Sequence, residues 1–188
     1  PSRVTGQWDF AGVNPANPLW PTVGASLEFF GGAEGATALG TVFGTTTDLG
    51  VADINGVPAS IMIVPDPENF RDIGIEMYHR IEPNGGGTLV NQYTLIMDVF
   101  VAESGPGAAA LLQISSPENT DDGDLFWQGG NFGQGGNGYN GKGTFQAGSW
   151  HRVAAAYDMA ANPPVVVKYV DGIKQDDWTA NQSLDNAR

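Results

Sequence analysis

The longest alternation of apolar and polar positions runs over Val90–Val101. Tyr93, Leu95, Met97, Val99 and Val101 fall on one parity; Thr94, Ile96, Asp98 and Phe100 fall on the other. Successive side chains of a strand point to opposite faces, so the first set should meet an inter-sheet core and the second should line an outer face. Trp150–Asp158 and Val165–Val170 read as two further strands. Shorter strand-like segments lie near Val4–Phe10, Ser26–Phe30, Thr41–Phe43, Ser60–Val64, Ile73–Arg80, Ala109–Ser115, Asp124–Gln128, Thr144–Gln146 and Ile173–Asp176. The best helical period, near Ala154–Ala161, runs into Pro163-Pro164 and reads as a strand end followed by a turn.

Turn residues separate these segments: Asn55-Gly56, Pro65-Asp66-Pro67, Asn84-Gly85-Gly86-Gly87, Gly105-Pro106-Gly107, Asp122-Gly123 and Asp171-Gly172. Asp171-Gly172 best suits a two-residue hairpin, in which both central residues need φ > 0. Many short strands at this spacing predict an all-β sandwich or barrel. Residues 128–143 are rich in Gly, Asn and Gln and predict a long irregular loop. A length of 188 residues fits a single domain spanning 1–188, with a core large enough to need no staple.

Composition removes several functions. With no cysteine there is no disulfide, thiolate metal site or cysteine nucleophile. A net charge of −13 with 8 basic residues argues against nucleic acid, whose phosphates are met by a basic surface. It argues equally against an anionic membrane surface. No apolar run approaches the roughly 20 residues of a membrane span, so membrane insertion is not expected. Acidity suits a soluble exported domain or one that collects divalent cations.

The candidate chemistry is sparse. Asp98 and Glu103 differ by an odd number and would point to opposite faces of a strand. Asp72 and Glu76 share parity but would stand roughly 13 Å apart, beyond the separations that glycosidases use. Glu76 with Asp98 across neighbouring strands is the pairing that stays open. His151 reads as a packed strand residue, and no Gly-x-Ser-x-Gly elbow accompanies it. Asn119, Asp121, Asp122 and Asp124 crowd hard oxygen donors suited to calcium, although Gly123 breaks the EF-hand spacing. Trp127, Phe132 and Tyr139 fall in or beside the Gly-rich stretch, and Trp20 sits in Asn-Pro-Leu-Trp-Pro. Exposed rings of this kind stack on sugars.

Asn91-Gln92-Tyr93-Thr94-Leu95, then Trp150-His151-Arg152-Val153-Ala154, then Tyr169-Val170-Asp171-Gly172 form a series. It resembles the laminin-G-like branch of the concanavalin A-like lectin/glucanase superfamily, in the version found in bacterial exported proteins. The resemblance implies a jelly-roll β-sandwich of two antiparallel sheets. It implies a secreted, non-catalytic module that binds a polysaccharide, glycan or other surface, with calcium as its cofactor. In that fold sugars often bind on a concave outer face, which adds Asp98 to Trp127, Phe132, Tyr139 and Trp20 as carbohydrate-binding candidates. No catalytic residue is assigned, because the Glu-x-Asp-x-x-Glu pattern of the superfamily's glucanases is missing.

The chain also departs from the family by stopping at Arg188, where relatives continue for several strands. That predicts a domain lacking its last strands, with an open edge near Val4–Phe10 and homo-oligomers formed through it. Two alternatives stand beside the binding module. One is a glycoside hydrolase or polysaccharide lyase of the same fold. The other is a structural or assembly domain that mediates protein contacts.

Overall fold

A computed structural model describes residues 3–11, 17–65, 74–103, 107–113, 125–134, 144–175 and 178–179. These residues are all-β in character, with antiparallel sheets and a single five-residue helix among them. They gather into two compact units, Pro1–Ile81 and Glu82–Arg188.

The first unit contains β1 (Leu27–Phe29), α1 (Ala36–Gly40), β2 (Val42–Thr45), β3 (Ser60–Ile63) and β4 (Ile75–Met77). β1 pairs with β4 and β2 with β3, both antiparallel. Asn55 and Gly56 both take positive φ, at 52° and 75°, as the sequence required of that turn. The strand expected over Val4–Phe10 reduces to one bridge, Gln7 with Val23. Phe10 has φ 53°, which leaves the extended region, and the Trp8 ring folds back over Gly6. A Cβ on Gly6 would lie 2.5 Å from that ring. The indole is held by a hydrogen bond to the Ala25 carbonyl at 2.9 Å.

The second unit contains β5 (Gln92–Phe100), β6 (Ala108–Leu112), β7 (Leu125–Gln128), β8 (Asn131–Gln134), β9 (Trp150–Asp158), β10 (Val165–Val170), β11 (Ile173–Lys174) and β12 (Trp178–Thr179). One sheet runs β11-β10-β9-β5, with β12 also on β10; the other runs β6-β7-β8. Their apolar faces meet in one core of Leu125, Trp127, Phe132, Val153, Ala155, Tyr157, Val166 and Val170. The two faces of β5 are those the alternation predicts. Tyr93, Met97 and Val99 pack on this core, while Ile96 is 62% exposed on the other side. Tyr93 stacks on Tyr157, its partner in the β5–β9 register, at 4.7 Å.

Asn84 and Asn91 set the start of β5. The Asn84 Oδ1 accepts the Asn91 and Gln92 amides at 2.8 and 2.7 Å. The buried Asn91 Nδ2 donates to the Asn84 and Leu89 carbonyls at 3.1 and 3.0 Å. The Asp171-Gly172 turn is as expected, with φ 51° and 77° at the two residues joining β10 to β11.

The Gly-rich stretch is less irregular than its composition suggests. Gly129 and Gly130 take φ 53° and 92° and close a two-residue hairpin between β7 and β8. Residues 135–143 of that stretch lie outside the described residues. Thr144–Gln146 was expected as a strand and contributes a single bridge, Thr144 to Asn131.

Candidate functional site

The outer face of the five-stranded sheet is fixed by register. Gln92, Asp158 and Val165 form one cross-strand row, and Thr94, Ala156 and Val167 the next. Ile96, Ala154 and Tyr169 form a third, and Asp98 stands opposite Arg152 in a fourth. Every residue here alternates with a core residue, so period two sets the face on each strand and register sets the rows. Ala154 and Ala156 make a low floor on the central strand. Larger side chains rise on both sides, with Thr94 and Ile96 on β5 and Val167 and Tyr169 on β10.

Polar pairs close both ends of this trough. At one end Gln92 Nε2 donates to Asp158 Oδ1 at 3.0 Å. At the other, Arg152 Nε and Nη2 donate to Asp98 Oδ1 and Oδ2 at 2.7 and 2.6 Å. The hydrogen bond and the charge of Asp98 raise the Arg152 pKa further above its usual value, against a small opposing effect of burial.

A second polar array adjoins this end. Asp171, in the β10–β11 turn, accepts the Arg152 amide on Oδ1 at 2.9 Å and meets His151 Nδ1 with Oδ2 at 2.8 Å. His151 Nε2 lies 2.8 Å from Ser149 Oγ. Burial pushes the Asp171 carboxyl up. The hydrogen bonds from His151 and the Arg152 amide, with the charge of His151, outweigh that and leave it below the usual aspartate range.

The sequence candidates scatter. Asp98 lies on the outer face, in the ion pair just described. Trp127 and Phe132 are core residues, 5% and 1% exposed, and offer no face to a sugar ring. The reason is strand parity: Leu125 and Trp127 point inward together, and the indole donates to the Phe145 carbonyl at 3.0 Å. Trp20 is half exposed and belongs to the first unit. Tyr139, Asn119, Asp121, Asp122 and Asp124 lie outside the described residues. Among the described residues no group of three or more acidic or histidine side chains could hold a metal ion.

The sequence left a pairing of Glu76 with Asp98 open; register gives each its own ladder neighbour. Glu76 on β4 stands opposite Glu28 on β1, and Asp98 stands opposite Arg152. The charge of Glu76, then burial, then a hydrogen bond to Glu76 and the charge of Glu28 raise the Tyr78 pKa. Sequence reading missed Arg152, Tyr169 and Ser149. Arg152 was not legible as the partner of Asp98, because only the β5–β9 register sets the two opposite each other.

No protein-family model, no curated protein and no solved structure matches the chain.

Proposed function

We propose that this chain is a carbohydrate- or surface-binding module of an exported protein, built as a jelly roll of the laminin-G-like kind, with its ligand on the outer face of the β5–β9–β10 sheet. The observation that carries this reading is the trough itself. An alanine floor between Tyr169 and Ile96 accepts the apolar face of a sugar ring. The Asp98–Arg152 and Gln92–Asp158 pairs supply donors and acceptors to hydroxyls at its two ends. Ligand sites commonly combine an apolar surface with a few placed polar groups in this way. Calcium, held by Asn119, Asp121, Asp122 and Asp124, belongs to the same proposal.

A glycan array tests it, run once with calcium and once with chelator. The expected result is selective binding that Arg152→Ala and Tyr169→Ala both abolish while the fold persists. Absence of binding to any glycan in either condition overturns the reading and leaves a protein-contact role.

The facing carboxylates Glu28 and Glu76 favour a second reading, glycoside hydrolysis. Two carboxyl groups across a scissile bond are the common requirement of that chemistry. Release of reducing ends from soluble β-glucans, lost in Glu76→Gln, would establish it; no release at high protein concentration would remove it.

A further inference from the structure

Ser149, His151 and Asp171 form a continuous chain of two contacts, each 2.8 Å long. Ser149 lies in the bend just before β9, and its hydroxyl reaches the His151 ring across one residue. Asp171 arrives from the β10–β11 turn. Its place is set by two bonds to the same residue, its own amide to the Arg152 carbonyl at 2.8 Å and Oδ1 from the Arg152 amide at 2.9 Å. The His151 ring is packed by Phe145, with centroids 5.1 Å apart. Ser149 itself is exposed to solvent.

The direction of the hydrogen bonds follows from the donor inventory. An ionised carboxylate only accepts, so the His151 Nδ1 carries the proton and donates it to Asp171. In its neutral form the ring then has its lone pair on Nε2, and the Ser149 hydroxyl donates to it. This is the order of groups that activates a serine: nucleophile, base, and a third group that orients the base.

We infer that Ser149 is a nucleophile activated by His151, with Asp171 as its positioning residue, and that it accepts the acyl group of neutral or cationic carboxylic esters. Ser149 Oγ bonds to the ester carbonyl carbon as its proton passes to His151 Nε2. The carbon–alkoxy bond then breaks, and the leaving alcohol takes that proton. Water repeats the sequence: its oxygen bonds to the acyl carbon, one proton goes to Nε2, and Ser149 leaves with that proton. The sum is ester plus water giving acid plus alcohol. The charge preference follows from the surroundings. Asp171 is ionised, and Glu103 lies against Gly148, where an added Cβ would sit 2.8 Å from its Oε1. Two carboxylates beside the serine repel an anionic ester.

General-base assistance of this kind contributes about 10²–10⁴-fold. The inference does not depend on the glycan trough, and glycan binding does not depend on it. The test uses p-nitrophenyl acetate and a fluorophosphonate probe on the full chain. The expected result is probe attached at Ser149, with fluoride released, and ester hydrolysis that falls at least about 100-fold in Ser149→Ala. His151→Gln should lose the same activity. Ser149 is exposed, so its alanine variant should keep the wild-type melting temperature. Hydrolysis unchanged in Ser149→Ala, or probe found on other serines and not on Ser149, overturns the inference.

Discussion

Asp98 and Arg152 stand directly opposite in the β5–β9 ladder and meet through two hydrogen bonds of 2.7 and 2.6 Å. Their side chains are 32% and 66% exposed, so water screens the pair. Exposed ion pairs contribute about 0.2–1 kcal/mol, and two-pronged geometry belongs at the upper end. Arg152→Ala is therefore expected to lower unfolding stability by about 0.5–1 kcal/mol. A double-mutant cycle with Asp98→Asn should show most of that as coupling, and molar salt should shrink it. A coupling of zero at low salt would mean that the pair does not hold the strands.

The faces of β5 give a sharper contrast between neighbours in sequence. Ile96 is 62% exposed, and Met97 packs on the core. Ile96→Asp should change stability by no more than about 0.5 kcal/mol. Met97→Asp should unfold the second unit, because a carboxylate facing that core has no partner. Equal melting temperatures for the two variants would refute the assignment of faces.

That contrast also marks how far the sequence could be read. The faces of Val90–Val101 were legible because its period-two alternation gives each residue's face from its parity, whereas Trp150–Asp158 was legible as a strand but its apolar run Val153–Tyr157 hid its faces. The Asp171-Gly172 turn was legible because few dipeptides tolerate positive φ twice. The same rule applied to Gly129-Gly130 would have found the β7–β8 hairpin, which composition concealed as loop. Val4–Phe10 failed for the opposite reason: its apolar residues alternate, yet the Trp8 ring folds over Gly6 and Phe10 leaves the extended region. The site was harder to read than the fold. Asp98 was visible from its own strand, but its partner Arg152 lies 54 residues away, and only register brings them together. Trp127 fell in an expected strand, Asp124–Gln128, whose inward face was not assigned, and Phe132 looked like a loop aromatic because β8 was not recognised.

Lys168 is the least expected member of the core, wholly buried on β10 between Val166 and Val170. Its neighbour across the ladder is Ala155, small enough to leave room for the long side chain. The ammonium crosses to the other sheet and donates to the Phe132 carbonyl at 2.8 Å, with the Phe132 ring 5.5 Å away. Lys168→Met keeps the unbranched chain and removes that donor, so a loss of about 1–3 kcal/mol is expected. Lys168→Ala also removes packing and should cost more, about 2–5 kcal/mol. Denaturant titrations of the three proteins check the order. A methionine variant more stable than wild type would mean that burying the ammonium costs more than its bonds return.

Acid should loosen the β10–β11 turn before it unfolds the rest of the second unit. Asp171 titrates below the ordinary aspartate value of 3.8 in the folded chain. A carboxylate depressed by folding adds stability that is fully present above its unfolded value and is lost as pH falls through its folded value. The part of the stability difference between wild type and Asp171→Asn that comes from this carboxylate should therefore shrink below about pH 4. The contacts at stake are those from His151 Nδ1 and the Arg152 amide. Asparagine can still accept the amide but carries no charge to oppose His151. Hydrogen exchange at Ile173 and Gln175, measured from about pH 5 down to about pH 2.5, reads the turn directly, once the rates are corrected for intrinsic pH dependence. Protection that falls in wild type but stays flat in the variant is the expected result. Parallel profiles in the two proteins would show that the depressed carboxyl does not hold this turn.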